Sequence, residues 1–569
     1  MRNIIVSHLD KCVGCNHCIR VCPIPEANIA FMDGLNTKIR VDGSKCIACG
    51  SCLAVCTHGS RRSEDDTKIF FEDLQMGKSI SIFAAPAIKS NFEEYGKLFT
   101  WLRSMGVKKI YDVSLGADIC TWAHIRYIQK NGPKPIISQP CPAIVNYILI
   151  HKNELVKHLS PVHSPMLCTA VYMQKYEKVG TKIAALSPCV AKANEFEATD
   201  IVDYNITFRK LLRYLKDNDV ILPTKSTGFD NYDAGLGSLY PMPGGLKECV
   251  EHYVGRKLRV DKSEGPKIVY KALDEYAKQP SSKLPVLFDV LNCAEGCNAG
   301  TGCEHNIDIF EINTKMDALR QAAIKEDNLK YMEDLFKKFD ETLRLDDFIR
   351  HYSPMPVREI SFSRERLDAA FSAMGKLDEA SRHFDCAACG CETCQEMAEK
   401  IAKGINIPDN CVQKTHNEAV QRHEETKSVL TNSINSYDSI LQETDHIKNM
   451  TENIASNMTD VTDAVSQYNS MVKDIERISE KVNIISLNAS VEAAKAGQHG
   501  LAFGVVAKEI RSLAQSSANS AMQTREAAEK ASGAIKTVNE AVLEIKEKVQ
   551  ASYNTIESIA ESTKKIANE

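Results

Sequence analysis

The stretch CVGCNHCIRVC sets Cys12, Cys15, Cys18 and Cys22 at C-x2-C-x2-C-x3-C spacing, and CIACGSCLAVC repeats it with Cys46, Cys49, Cys52 and Cys56. Thiolates at such short intervals wrap a loop around one corner of a 4Fe–4S cubane, while the fourth cysteine reaches the neighbouring cluster. Cys12, Cys15, Cys18 and Cys56 are therefore expected to hold one cubane, and Cys46, Cys49, Cys52 and Cys22 a second. A pair of zinc sites is the plainer alternative, and the triplet spacing disfavours it. Thr57 departs from the pattern, because a proline such as Pro23 usually follows the last cysteine.

Cys141 stands alone between Pro140 and Pro142 in SQPCPAIVNY. Proline fixes φ and removes a backbone donor, so the pair stiffens the loop and aims the sulfur. Cys189 in LSPCVAKANEFE also follows a proline, and DVLNCAEGCNAGTGC supplies Cys293 and Cys297 among Gly296, Gly300 and Gly302. Glycine lets backbone approach a large cofactor closely. Four cysteines from three distant loops can enclose one cubane.

The elements that must position these residues belong to a chain of 569 residues. At roughly 150 residues per domain, that suggests three or four domains. Charged residues at 25% and apolar residues at 43% are ordinary for soluble protein. A formal net charge of −5 gives no electrostatic case for a nucleic-acid partner. No apolar run reaches the roughly 20 residues that span a bilayer, and the first residues lack a signal-peptide layout. The expected location is the cytoplasm, with no membrane span. In a reducing cytosol the 21 cysteines, most of them in tight groups, read as metal ligands rather than disulfides. Strand-like runs, SISIFAAPAI and KIAALSPCV, lead into loops.

The two front motifs resemble bacterial two-cluster ferredoxins, over residues 1–75. The segments around Cys141, Cys189 and Cys293 resemble the three signatures of [FeFe]-hydrogenases, the H-cluster domain. That likeness extends over 78–350, through FAAPAI, YDVSLGADIC and PMPGGL. It implies two α/β lobes with the cofactor in the cleft between them. It also implies that Cys141, Cys189, Cys293 and Cys297 ligate a 4Fe–4S subcluster. Cys297 would bridge to a di-iron centre carrying CO and cyanide, and Lys192 would hydrogen-bond a cyanide. An ammonium's compact donors suit such an anion. Lys192 and Cys297 are thus the catalytic candidates.

In the fast enzymes of that family, a second cysteine precedes the first ligand and relays protons. Here the position is Pro140, which has neither an ionisable group nor an N–H. Ser187 stands where those enzymes carry methionine. The combination resembles the sensory branches of the family.

Further along, Cys386, Cys389, Cys394 and Cys411 form C-x2-C-x4-C-x16-C. This resembles a small 4Fe–4S module found beside redox enzymes and sensors, here over 355–415. Cys391 falls off the ligand spacing and reads as a bystander. Cys120, Cys168, Cys249 and Cys303 read as small buried thiols.

After Pro408 no proline follows. Ile454, Met458, Val461, Val465, Tyr468, Val472 and Ile475 alternate steps of four and three, and Ala528, Ala531, Ile535, Val538, Val542, Ile545 and Val549 do so again. Such steps mark a coiled-coil seam. Gly497 and Gly500 provide the turn, so 416–569 is expected to be an antiparallel hairpin on the order of 100 Å long. The tip, ISLNASVEAAKAGQHGLAFGVVAKEIRSLAQSSA, resembles the signalling domain of methyl-accepting chemotaxis receptors. By that resemblance Asn488, Glu492, Lys495, Phe503 and Val505 lie where receptors contact one another, the kinase and the coupling protein. Lys495, Gln498, Leu501 and Glu480 depart from the usual residues there, and no methylation site stands out.

The expected fold is multidomain. A ferredoxin-type α+β domain comes first, then a two-lobed α/β H-cluster domain and a small α-rich 4Fe–4S module. A long helical hairpin follows, forming a four-helix bundle in a homodimer. The expected cofactors are four 4Fe–4S clusters and a di-iron CO/cyanide subcluster. The expected partners are a chemotaxis-type histidine kinase and coupling protein, or another signalling partner, with a ferredoxin as a further candidate. The function read from these parts is sensing of H2 or redox state, transmitted through the hairpin. The alternative is an active iron hydrogenase tethered to a docking rod.

Overall fold

The computed structural model describes residues 2–231, 233–304, 308–324, 326–357 and 360–568. Strand β1 (Ile5–Ser7), the hairpin β2 (Asn28–Asp33) and β3 (Asn36–Val41), and β4 (Arg61–Ser63) build the N-terminal region. β1 pairs antiparallel with β4, and β2 with β3. Two short helices, His17–Arg20 and Ser51–Val55, occupy equivalent places in the two cysteine motifs. Each starts after a left-handed residue, Asn16 at φ 62° and Gly50 at φ 77°, which turns the cysteine loop into the helix.

Seven strands follow in two parallel sheets. They are β5 (Ile80–Ala84), β6 (Ile110–Asp112), β7 (Ile136–Ile137), β8 (Lys182–Ser187), β9 (Tyr204–Thr207), β10 (Val260–Glu264) and β11 (Leu287–Leu291). One sheet has the order β6-β5-β8-β9 and the other β10-β11-β7. β5 and β11 are buried along their whole length, as parallel strands covered on both faces must be. The apolar run that reads as strand in SISIFAAPAI is β5, and KIAALS is β8.

Helix Val113–Asn131 is capped by Asp112, whose carboxylate accepts from the Ser114 N–H at 2.8 Å. It lies tightly against helix Pro165–Val171. A Cβ at Gly116 would stand 2.0 Å from Thr169 Oγ1 and 2.4 Å from the Pro165 carbonyl. The N-terminal region shares an apolar core with the second sheet, through Ile4, Ile39 and Leu53 with Ile144, Ile148 and Tyr270.

Helices Arg364–Ala373 and Cys394–Ala402 pack around Phe371, Met374 and Met397. This small module docks on the N-terminal region. Lys403 pairs with Glu26 at 2.6 Å, the Ala30 N–H donates to the Ile405 carbonyl at 3.1 Å, and Arg20 donates to the Ala388 carbonyl.

Contacts divide the chain into two units, residues 1–415 and 416–569. The second is a hairpin. Helix Val412–Lys495 ends at a short 3-10 turn, Gly497–Gly500, and helix Leu501–Asn568 returns. The expected seam is only half buried between the arms. Val472, Ala528, Ile535 and Val542 are covered. Ile454, Val461, Tyr468, Ile475, Val538 and Ile545 are exposed. The arms meet along one heptad line, Val472, Ser479 and Ser486 on one arm and Ala507, Ala514, Ala521, Ala528, Ile535 and Val542 on the other. Near the tip that line is built of small residues, which let two helices approach closely, and the second apolar row of the expected seam is left exposed beside it.

Candidate functional site

The loops that leave the carboxyl ends of β5, β7, β8 and β11 meet around one chamber. In open parallel sheets this is where ligands bind. The chamber holds about 750 Å³ of empty volume, its mouth included. Cys141, Cys189, Cys293 and Cys297 all line it, and so does Lys192. The sequence therefore named four sulfurs and one ammonium that the fold brings to a common wall.

Local chemistry explains how each is aimed. Cys141 caps helix Pro142–His151, with Pro142 at the first helical position, where its missing N–H costs nothing. The Asn292 N–H donates to the Cys141 sulfur at 3.5 Å, and the Ala143 and Ile144 N–H groups also favour its thiolate. Burial outweighs these donors and pushes the Cys141 thiol up. Burial also pushes Cys189 up to about 11, and raises Cys293 and Cys297. Thiols in such surroundings release their protons when a metal group binds.

Gly300 lines the chamber, and both it and Gly296 also pack closely on neighbouring loops. Gly296 has φ 70°, and a Cβ there would stand 2.1 Å from the Pro241 carbonyl. At Gly300 it would stand 2.3 Å from the Pro188 carbonyl. The loop is packed against two other loops, and the Cys297 N–H donates to the Pro241 carbonyl at 2.7 Å.

Lys192 is buried, and its ammonium donates to Glu195 Oε2 at 2.5 Å and Ser164 Oγ at 3.0 Å. Two of its three donors are thus engaged. The rest of the chamber wall is poor in protons. Pro86, Pro140, Pro142, Pro165, Pro188 and Pro241 line it, and none carries an N–H. Ser187 does not line it; its hydroxyl accepts from the Cys189 N–H at 3.1 Å. Sequence reasoning missed Asn292, Tyr240 and Glu195, which carry no spacing signal.

A second, smaller cavity is lined by Cys22 together with Cys46, Cys49 and Cys52. Cys18 is pushed up by burial first, and then by the neighbouring Cys12 and Cys15, while the Arg61 guanidinium donates to it at 3.3 Å. Cys56 ends the helix Ser51–Val55. The Asn292 amide donates to the Cys49 carbonyl at 3.3 Å and reaches the Cys293 sulfur at 3.9 Å, so this residue joins the two sites. In the third module Cys389, Cys394 and Cys411 share an apolar cluster, and Cys386 is exposed. Cys391 is buried there, with the Lys400 ammonium 3.4 Å from its sulfur. Its hydrogen bond holds the Cys389 thiol down at about 6. Among the described residues, no three His, Cys, Asp or Glu side chains converge as they would on one bare metal ion.

Cys120, Cys168, Cys249 and Cys303 are buried. The His124 ring lies between the Cys120 carbonyl at 2.8 Å and Ser160 Oγ at 2.9 Å. At the hairpin tip Asn488, Glu492 and Lys495 are exposed, with Glu492 and Lys495 paired at 3.0 Å. Phe503 is 77% and Val505 69% exposed, an apolar face at the turn.

Three family models match this chain. Residues 4–57 match the 4Fe-4S dicluster domain, 78–301 the iron only hydrogenase large subunit, C-terminal domain, and 452–569 the methyl-accepting chemotaxis protein signalling domain. The chain therefore combines iron–sulfur, iron-hydrogenase-like and chemotaxis-transducer segments.

A protein from Acetivibrio thermocellus named as a sensory transducer is 48% identical over 69 residues, 12% of either chain. Iron hydrogenase 1 of Clostridium pasteurianum is 23% identical over 30% of this chain and 36% of its own. Methyl-accepting chemotaxis protein I of Escherichia coli is 37% identical over 15% of each. This chain thus spans about a third or less of the length of these relatives. A solved [FeFe]-hydrogenase of Chlamydomonas reinhardtii is similar at 16% identity and TM-score 0.40, over 52% of this chain and all of that one. Among the described residues no helix is long and apolar enough to cross a membrane.

Proposed function

We propose that this chain is a cytoplasmic, homodimeric iron–sulfur transducer. It senses H2 or redox state in the cysteine-lined chamber and reports through the hairpin to a chemotaxis-type histidine kinase and coupling protein. One observation carries the reading: a wall of four cysteines and one ammonium, with Pro140 where a relay thiol would stand, in a chain that also has a signalling segment.

Cys141, Cys189, Cys293 and Cys297 would hold a cubane, and Cys297 a di-iron CO/cyanide centre beside Lys192. Once bound, that group would supply a place for H2 to bind and for electrons to enter or leave. The protein's own part is to compensate and restrict. Backbone N–H groups around Cys141 offset thiolate charge. The proline wall presents no N–H, and Pro140 offers no proton. Lys192 keeps one donor for an anionic ligand.

Electrons would pass by Asn292 to the cluster of Cys46, Cys49, Cys52 and Cys22. The cluster of Cys12, Cys15, Cys18 and Cys56 and that of Cys386, Cys389, Cys394 and Cys411 would complete the relay, with a ferredoxin as outside partner. A change of cluster charge must then favour one of two arrangements near residues 412–430, since a ligand shifts an equilibrium only by its differential affinity. The exposed apolar row of Val461, Tyr468 and Ile475 would be covered by a second copy, giving a four-helix bundle.

The test is infrared spectroscopy of the matured protein for CO and cyanide bands, followed by partner-kinase activity under H2 and under argon. Equal kinase activity under both gases, with the bands present, would sink the sensing reading. Rapid H2 oxidation with an artificial dye would make the chain a hydrogenase with a docking rod instead.

A further inference from the structure

Behind the cluster chamber lies another, which the proposed function does not use. It has about 750 Å³ of empty volume, its mouth included. Helices Pro142–His151 and Lys192–Thr199 wall it, together with Arg350 and Met355. Val145, Leu149 and Met355 make one side apolar. The Met355 N–H donates to the Leu149 carbonyl at 2.7 Å and fixes that side.

Two polar groups on this wall are unspent. Asn194 is 3% exposed, yet among the described residues neither its amide nitrogen nor its oxygen has a partner. Buried polar groups are rarely left so without a ligand or an ordered water. Among the described residues Arg350 is the only cation on the wall, and its guanidinium makes no hydrogen bond. It lies 4.5 Å over the Tyr352 ring and 3.8 Å from Glu195 Oε1. Glu195 is already answered, because its other oxygen takes Lys192 at 2.5 Å and Ser164 at 3.0 Å. Glu197, also on the wall, accepts from the Arg2 backbone N–H at 2.8 Å.

We propose that this second chamber binds a small aliphatic monocarboxylate. The guanidinium fork of Arg350 and the Asn194 N–H donors take the carboxylate, and the short chain lies on Val145, Leu149 and Met355. A planar fork is the side chain best matched to that group. Glu195 stands between Arg350 and Lys192, and Lys192 lines the cluster chamber. An anion on Arg350 draws the guanidinium from Glu195 and leaves that carboxylate to Lys192 and Ser164. Occupancy of one chamber therefore biases the other, and the bias is reciprocal.

The test reads binding directly and does not depend on H2 sensing, so either idea can fail alone. Full-length, cluster-loaded protein is titrated anaerobically with propionate by calorimetry, with propionamide as the neutral control. Saturable one-site binding is expected for propionate, weaker by roughly tenfold or more for propionamide. Arg350→Gln should weaken propionate by roughly tenfold or more. Asn194→Asp, which keeps the volume and adds repulsion, should do so as well. Iron content and circular dichroism establish that each variant is folded, and either folded variant suffices. Absence of saturable binding to the wild type, equal affinity for propionamide, or unchanged affinity in the folded variants overturns the proposal.

Discussion

In the proposed function, Pro140 is the residue on which enzyme and sensor part. It lines the chamber directly before the helix cap Cys141 and can neither give nor take a proton. Pro140→Cys should raise H2 turnover, since a positioned proton donor typically contributes about 10²–10⁴-fold. The rate is read with an artificial dye, alongside the infrared bands and iron content. No gain with the bands intact would defeat the relay argument. A second residue sets a pH dependence of stability. Burial pushes the Asp118 carboxyl up to about 7, although the N–H groups of Gly235 and Gly237 donate to it at 2.7 and 2.8 Å. The folded value lies above the unfolded one, so the folded state binds the extra proton. That contribution is complete below about pH 4 and is lost as pH rises through about 7. Asp118→Asn keeps one acceptor for two donors and should cost about 1–3 kcal/mol at low pH. In urea titrations the gap between wild type and variant should narrow from about pH 5.5 to pH 8. A constant gap would show that Asp118 does not titrate in that window.

Among the elements, the contact between helices Val113–Asn131 and Pro165–Val171 depends on position 116 having no side chain. The second helix carries Pro165 and Met166 to the chamber wall. Gly116→Ala would force its Cβ against Thr169 and the Pro165 carbonyl. Overpacking of this kind costs about 1–3 kcal/mol and moves backbone. The thermal midpoint should fall and iron at the Cys141 site should be retained less well. An unchanged midpoint would mean that the two helices can separate freely. The hairpin shows the opposite economy. Small residues near its tip let the arms close on each other, and one of its two apolar rows stays exposed.

For the molecule as a whole, the proposed function assigns one cubane to each of four cysteine groups. Anaerobically purified protein should carry about sixteen irons before any di-iron centre, four per cubane. Cys386→Ser should lower the count by about four and remove one EPR signal. Unchanged iron would mean that the third module is not a cluster site. Residues 409–569 alone should dimerise, because the exposed heptad row needs a partner surface. Sedimentation equilibrium reads this, and Tyr468→Glu in that row should shift the fragment toward monomer. A fragment that is monomeric at all concentrations would leave the row without its proposed partner.

Much of this protein is written locally. Cysteines two and three residues apart must share a loop, so their spacing carries cluster chemistry before any fold exists. Heptad steps are likewise local, and they marked the hairpin and its turn at Gly497–Gly500. The alternation of strand-like runs with ligand loops anticipated β5 and β8 before the Cys189 loop. Other features depend on residues far apart in the chain. Which of the two apolar rows the arms bury, the one through Val472, Ala528, Ile535 and Val542 and not the one through Ile454, Tyr468 and Val538, is decided by the meeting of two helices, and the apolar pattern alone marked both. The close packing of Gly296 on Pro241, the joining of two sites by Asn292, and the Lys192–Glu195–Arg350 line between two chambers are contacts across distant loops. No local spacing encodes such meetings. They exist only once two sheets bring the carboxyl ends of their strands to one place.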